Sequence, residues 1–310
     1  MNRLYSIGEL LIDFQSVGTK GLKDTEQFVK NAGGAPANVA AQAVKFGANA
    51  TYLTKVGNDG FGDFLIESLS QVGIDTTHIL KDKNYSTSLA FVSFQENGER
   101  EFSFYRSNAA DLYFTPRDFK DVRFDSSDIL EFGSVALKTS VSRETHDYLI
   151  EKAKKANALV AFDPNLRFNL WEDINELRRV VNDYLKVADI VKVGKDELEF
   201  ITGKKDNAAI DEILINKTKM LLVTDGSKGA TLYVNNKSYY CPGYKVKAID
   251  TTGAGDSFFG AFLALLIKNK DGLDYQHLLN MACKAGAYTT TGYGAIKAMG
   301  DLDTIERTVK

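Results

Sequence analysis

Asp250-Thr251-Thr252-Gly253-Ala254-Gly255-Asp256 runs without a break into Ser257-Phe258-Phe259-Gly260-Ala261-Phe262-Leu263, and this join between a glycine-rich turn and an apolar helix decides the reading of the chain. Gly253, Ala254 and Gly255 leave the backbone uncrowded, so successive N–H groups can point into one concavity. A helix beginning at Asp256 adds its unpaired N–H groups and the positive end of its dipole. Together they form a hole suited to phosphate oxygens, with Asp256 at its rim. Taken alone, the segment also reads as an ordinary helix start that Asp256 caps.

Far upstream, Gly33-Gly34-Ala35-Pro36-Ala37-Asn38-Val39-Ala40 makes a second glycine-rich lead-in to a helix. Gly33 and Gly34 let a ligand approach the backbone, and Pro36 suits a helix's first turn. Asn38 falls about one turn inside, where an amide is a mediocre helix former but offers two donors and an acceptor for sugar hydroxyls. An ordinary strand-to-helix turn with a capping amide is the competing reading. Gly57-Asn58-Asp59-Gly60-Phe61-Gly62 reads as a turn at a helix start, an architectural feature.

Around these segments, short β-rich runs alternate with stretches of helical period, which predicts a mainly parallel sheet covered by helices. Strands are predicted at Leu4–Ile7, Ala50–Lys55, Leu159–Phe162, Asp189–Val193, Met220–Thr224, Ala230–Val234 and Ser238–Cys241. Helices are predicted at Ala35–Phe46, Phe61–Gln71, Arg143–Ala156, Ile174–Val187, Lys195–Ile201, Asp256–Lys268 and Tyr275–Thr290. One stretch breaks this rhythm: Leu89–Gln95 and Arg100–Tyr105 are both of β composition, joined across Asn97-Gly98, the preferred pair for a type I′ turn. The hairpin either extends an edge of the main sheet or belongs to a small separate sheet over a site. The irregular segment Asp13–Asn31 could supply strands to the same flap.

The composition is globular, 44% hydrophobic and 25% charged over 310 residues, and it excludes collagen-like, low-complexity and disordered chains. A net charge of −3 provides no global basic field for nucleic acid or an anionic membrane. The longest apolar run, Phe258–Ile267, is half of the roughly 20 residues a membrane span requires. The first residues lack a signal-peptide pattern, and Cys241 and Cys283 fit reduced thiols, so a cytoplasmic protein with a small-molecule partner is expected. Gly-x-x-x-x-Gly-Lys-Ser/Thr is missing, which excludes a P-loop site. The dinucleotide fingerprint fails at Phe258, which disfavours a dehydrogenase. His78, His146 and His277 are scattered, so neither a histidine metal cluster nor a Ser-His-Asp triad is visible.

With Gly33-Gly34…Asn38 and Asp250–Asp256 in this order, the chain resembles the ribokinase-like (PfkB) family of carbohydrate kinases, and within it most resembles the fructokinases. The likeness covers nearly the whole chain. It implies one α/β domain over residues 1–310, a three-layer Rossmann-like core with a β-sheet lid drawn from about 14–32 and 86–114, and transfer of the γ-phosphoryl of ATP to a sugar hydroxyl with Mg²⁺. Asp256 matches the family's catalytic base, with Gly253, Ala254 and Gly255 as its anion hole. Asp13, Gly33, Gly34 and Asn38 match sugar contacts, and Arg106 and Arg167 match arginines that face substrate or phosphates. Thr224, Gly226 and Gly229 match a nucleotide-facing turn, Asn280, Ala282 and Gly286 the adenine pocket, and Lys192 and Glu197 the nucleotide side. Asp250 and Thr252, with the loop from Thr289 to Gly294, match a K⁺ site, and a homodimer through the lid is a further expectation. One departure stands out: the family's Asn-x-x-Glu is Gly194-Lys195-Asp196-Glu197 here, so position 194 offers no side chain and Glu197 acts only indirectly, through water.

The chemistry is coherent. Phosphoryl transfer has a loose transition state, so positioning and charge neutralisation matter more than proton abstraction. A carboxylate at a helix N-terminus is a weak base, which suffices when the hydroxyl proton leaves late. A lid keeps water from competing as acceptor. Asp13 favours a neutral sugar, because a carboxylate repels an acid, and D-fructose giving fructose 6-phosphate is the expected reaction. The alternatives are a 2-keto-3-deoxygluconate or riboside kinase of the same family and a non-catalytic sugar-binding regulator.

Overall fold

The computed structural model describes residues 2–94, 100–216, 218–269 and 272–310. In chain order the first elements are β1 (Arg3–Ile7), β2 (Leu11–Ser16), β3 (Phe28–Gly33), α1 (Ala35–Lys45), β4 (Asn49–Gly57), α2 (Gly60–Val72), β5 (Ile79–Asp82), β6 (Ser88–Phe94) and β7 (Arg100–Tyr105). They continue with β8 (Ile129–Gly133), α3 (Ser140–Lys155), β9 (Leu159–Asp163), α4 (Ile174–Leu185), β10 (Ile190–Gly194), α5 (Lys195–Thr202) and α6 (Asp206–Ile215). The last are β11 (Met220–Thr224), β12 (Gly229–Val234), β13 (Lys237–Pro242), α7 (Ala254–Lys268), α8 (Tyr275–Thr289), α9 (Ala295–Ala298) and α10 (Leu302–Thr308).

The large sheet has the order β13-β12-β11-β10-β9-β8-β1-β4-β5; it is parallel from β11 to β5, with β12 and β13 antiparallel at one edge. Alternation along each strand separates two cores. On one face Leu130, Phe132, Val160, Phe162, Val191 and Val193 pack with residues of α3 to α6. On the other, Leu4, Ile129, Ala161 and Ile190 pack with α1, α7 and α8. This is the expected three-layer α/β architecture. The chain runs from β1 outward to β4 and β5, then returns to the other side of β1 at β8. Open α/β sheets bind ligands at such a reversal, beyond the carboxyl ends of the strands.

Every predicted strand and helix is present, with ends displaced by no more than three residues. The sequence reading missed β8, whose five residues are all buried, because Glu131 interrupts its apolar run. It also missed β5 and the helices α6, α9 and α10. One boundary is corrected: α7 starts at Ala254 with Gly253 as N-cap, so Asp256 lies a full two residues inside the helix.

A second sheet, ordered β3-β2-β6-β7, settles the choice left open for the hairpin: it is separate from the main sheet. β6 and β7 pair antiparallel from Leu89↔Tyr105 to Phe94↔Arg100, while the Asn97-Gly98 turn lies outside the described residues. The irregular segment supplies β2 and β3, and β2 pairs parallel with β6. Among the described residues no helix is long and apolar enough to cross a membrane.

The site depends on how closely α1 and α7 approach. A Cβ at Gly260 of α7 would stand 2.3 Å from the Val39 carbonyl oxygen and 2.9 Å from the Gln42 Cβ of α1. A buried polar contact locks the same pair, since the Ser257 hydroxyl donates to Gln42 Oε1 at 2.8 Å. Gly260→Ala must therefore push the two helices apart. Overpacking of this kind typically costs about 1–3 kcal/mol, and we expect a loss at the upper end in urea denaturation. An unchanged denaturation midpoint would contradict the close approach.

Candidate active site

Near the carboxyl ends of β8, β9 and β10, the face turned to α1 and α7 changes from apolar to polar, with Glu131, Asp163 and Lys192 buried there and the last two side by side. They lie beneath a cavity of about 600 Å³ whose walls include Asn38, Lys192 and the loop from Asp250 to Asp256. The small sheet covers it with Leu11, Asp13 and Gln15 of β2, Val92 of β6, and Phe102 and Phe104 of β7.

Asp256 is buried at the edge of this cavity. Asn38 donates its side-chain amide to one carboxylate oxygen at 2.8 Å, and Asn165 donates to the other at 3.4 Å. The cap of α7 is Gly253, in the left-handed region at φ 76°, and it makes no side-chain cap bond. Capping therefore does not account for Asp256: its oxygens face two amides across the cavity rather than the helix's own N–H groups. Gly255 presents its backbone to the cavity, and the Ala254 N–H returns to the Thr251 carbonyl at 3.3 Å.

Lys192 is buried and its Nζ donates to Asp163 at 2.9 Å. The same ammonium lies 3.1 Å from the position a Cβ of Gly255 would take, so the site's buried cation stands directly against the glycine loop. Burial disfavours its charge, yet Asp163 and Glu197 hold its pKa above the ordinary lysine value. Burial pushes the Asp163 carboxyl up, with Lys192 pulling it down.

Three further carboxylates border the cavity. Glu9 accepts the Ala35 N–H at 2.9 Å, at the start of α1, while its second oxygen is buried with no hydrogen-bond partner. Burial pushes it up to about 7, against the pull of Arg106. Burial against the cavity wall also pushes Asp13 of β2 up to about 7; Arg167 opposes this and Asp256 and Asp250 add to it. Asp250 accepts from the Thr252 N–H at 2.9 Å, the Thr252 hydroxyl at 2.6 Å and the Gly294 N–H at 3.1 Å.

The structure thus brings together Asp13, Gly34, Asn38, Arg167, Lys192, Asp250, Thr252, Gly253, Ala254, Gly255, Asp256 and Gly294 around one cavity, with Gly33 at the end of β3 beside Asp13. Other expected site residues lie elsewhere or have partners of their own. Arg106 does not line the cavity; it is buried in an ion pair with Asp111 at 3.0 Å and donates to Ser88. Glu197 serves the backbone: its two oxygens accept the N–H groups of Leu166 and Gly194, each at 2.7 Å. Thr224, Gly226, Asn280, Ala282 and Gly286 lie outside the cavity lining, and Ala282 is core. Gly229 lines a separate cleft of about 440 Å³ beside α5 and α6. In the loop expected to hold K⁺, the Gly294 N–H donates to Asp250, and the Thr289 hydroxyl bonds Ala285 and Ser257.

Sequence reasoning missed Glu9, Asp163 and Asn165. Asp163-Pro164-Asn165 carried a signal, since a strand-terminal Asp followed by Pro and Asn makes a fixed turn rather than a helix start. Glu9 had a weaker one, a charged residue enclosed by Gly8 and Leu10.

The pattern of the pfkB family carbohydrate kinase matches residues 1–301 of the chain. Fructokinase-2 of Solanum lycopersicum is 38% identical over 303 residues, 96% of this chain and 92% of that one. The fructokinase of Vibrio cholerae, solved with fructose, ADP and potassium ion as a double mutant, superposes with a TM-score of 0.91 at 30% identity, covering 100% of this chain and 99% of that one. A sugar kinase of Pyrococcus horikoshii, solved with ATP, gives 0.85 at 37% identity over 97% and 96% of the two chains.

Glu9 makes folding stability depend on pH. A carboxyl raised to about 7 by the fold binds its proton more tightly folded than unfolded, so its contribution is full below the ordinary carboxylate range and is lost as pH rises toward 7. Whatever constant cost the amide of Glu9→Gln brings, the variant should compare more favourably with wild type at pH 8 than at pH 4. Equal differences in urea denaturation at both pH values would refute the raised pKa.

Proposed function

The chain belongs to the pfkB family of carbohydrate kinases, and we propose that it is a cytoplasmic fructokinase, which transfers the γ-phosphoryl of ATP to the 6-hydroxyl of D-fructose. The observation that carries this reading is Asp256 itself: a buried carboxylate at the start of a helix, held by two amides, facing a covered cavity next to a buried lysine. Relatives at 37–39% identity, matched over 96–99% of the chain, bear the names fructokinase or probable fructokinase, which supports the substrate.

In this reading Asp256 accepts a hydrogen bond from the fructose hydroxyl and takes its proton as the new oxygen–phosphorus bond forms and the bond to ADP breaks. Asn38 and Asn165 keep the carboxylate aimed at that hydroxyl. The Gly255 backbone and the Lys192 ammonium meet the charge on the transferring phosphoryl, the one by N–H donation and the other as a cation. Asp13, from the covering sheet, accepts from other sugar hydroxyls. The cavity's concentration of carboxylates at Glu9, Asp13, Asp250 and Asp256 suits a neutral acceptor and opposes a sugar acid. The small sheet acts as the lid that excludes water. Exposed Val29 of β3 and Tyr105 of β7 suit this lid to dock on a second copy.

Among the described residues no three His, Cys, Asp or Glu side chains stand together as a metal cage. Mg²⁺ would be held chiefly through ATP phosphates and water, with the Asp256 carboxylate on the same cavity wall. When bound, that ion neutralises phosphate charge. K⁺ would be held beside the glycine turn by Asp250, Thr252 and carbonyls of the loop from Thr289 to Gly294.

Two measurements test the reading. In a coupled ADP-release assay over a panel of sugars, kcat/KM for D-fructose should exceed that for 2-keto-3-deoxygluconate and for ribosides, with fructose 6-phosphate as product. A higher value for either rival moves the assignment elsewhere in the family. Asp256→Asn can still accept one of its two amide bonds, so the fold should survive with a loss of about 1–3 kcal/mol. General-base contributions are typically about 10²–10⁴-fold, so kcat should fall at least ~10² while both KM values move little. Turnover within tenfold of wild type would remove Asp256 from catalysis.

A further inference from the structure

Asn165 occupies an unusual backbone position. It follows Pro164 at the end of β9 and holds φ at 42°, a left-handed conformation that non-glycine residues adopt uncommonly. Two carboxylates, one buried and one half-buried, fix the turn around it. Asp163 accepts the Asn165 N–H at 3.2 Å, and Glu197 of α5 accepts the Leu166 N–H at 2.7 Å. Glu197 at the same time accepts the Gly194 N–H, so the turns after β9 and β10 hang on one side chain.

The result is a buried amide aimed across the cavity floor. Asn165 is buried, and its Nδ2 lies 3.4 Å from the Asp256 oxygen that Asn38 does not hold. The two amides come from opposite sides, Asn38 on α1 and Asn165 after β9, and each takes a different oxygen. One donor alone leaves a carboxylate free to rotate about its Cβ–Cγ bond. Two donors on separate oxygens fix its plane, and so fix where its remaining lone pairs point.

We propose that Asn165 is a positioning residue for phosphoryl transfer, its left-handed turn serving to hold an amide that sets the plane of the Asp256 carboxylate. The proposal rests on the reading of Asp256 as the acceptor of the sugar proton. The opposing account is that asparagine is present only because it tolerates the left-handed turn.

Glycine separates the two accounts, because it adopts φ 42° more readily than asparagine and carries no amide. Under the turn-only account, Asn165→Gly keeps full turnover. Under the proposal it folds with a melting temperature near that of wild type, KM for both substrates stays within about twofold, and kcat falls by about ten- to a hundredfold, the equivalent of one hydrogen bond to a charged group. Asn165→Asp, which also tolerates the turn but sets a second carboxylate against Asp256, should lose at least as much. In an Asp256→Asn background, Asn165→Gly should change kcat by less than twofold, because the group it positions is no longer there. If Asp256→Asn is inactive while Asn165→Gly turns over as wild type, or if the two losses multiply independently, the positioning role is wrong and the reading of Asp256 stands. If Asp256→Asn keeps its turnover, both fall together.

Discussion

A single carboxylate ties the molecule's distant parts into one site. Asp256 accepts from an amide 218 positions earlier in the chain and from another 91 positions earlier. The Asn38 contact needs α1 and α7 close enough for Gly260 to touch the backbone of Val39, and the Asn165 contact needs β9 to end beside α7. The large sheet sets these distances. Its reversal at β1 leaves a crevice beyond the strand ends, and the N-termini of α1 and α7 point into it.

That crevice carries an uncommon load of buried charge. Glu9, Glu131, Asp163 and Asp256 share the face on which Ile129, Ala161 and Ile190 form the core, with Lys192 as the partner of Asp163. Burial pushes Glu9, Glu131 and Asp163 up, so the fold holds them against their preference for water. Groups held at such a cost belong to a site more readily than to a scaffold. The orphaned second oxygen of Glu9 fits the same pattern, an acceptor kept without a partner inside the wall of a cavity.

Much of this was legible in the sequence, and the exceptions share a cause. The two glycine-rich lead-ins announced α1 and α7 because backbone freedom at a helix start leaves a local mark, and Asp256 and Asn38 came with them. β8 left no such mark: Glu131 looks like a break in an apolar run until the strand is flanked on both sides and the side chain is buried beneath the cavity. Arg106 and Glu197 were placed by likeness at the substrate and the nucleotide side, and the fold adds partners that likeness did not show, Asp111 five residues on for Arg106 and the turn after β9 for Glu197. Asn165 escaped because its role depends on a side chain direction that only its left-handed backbone defines.

The small sheet is made from two stretches of chain, and β2 pairs parallel with β6. A parallel pair requires a crossover, and here that crossover is α1, β4, α2 and β5, part of the main body itself. The chain therefore passes between the two sheets four times: after β1, after β3, after β5 and after β7. A cover on a single stalk swings freely and is shed by one cut. A platform moored at four corners slides and tilts as a unit, carries strain from any corner to the strands over the cavity, and stays attached after a protease has severed one mooring.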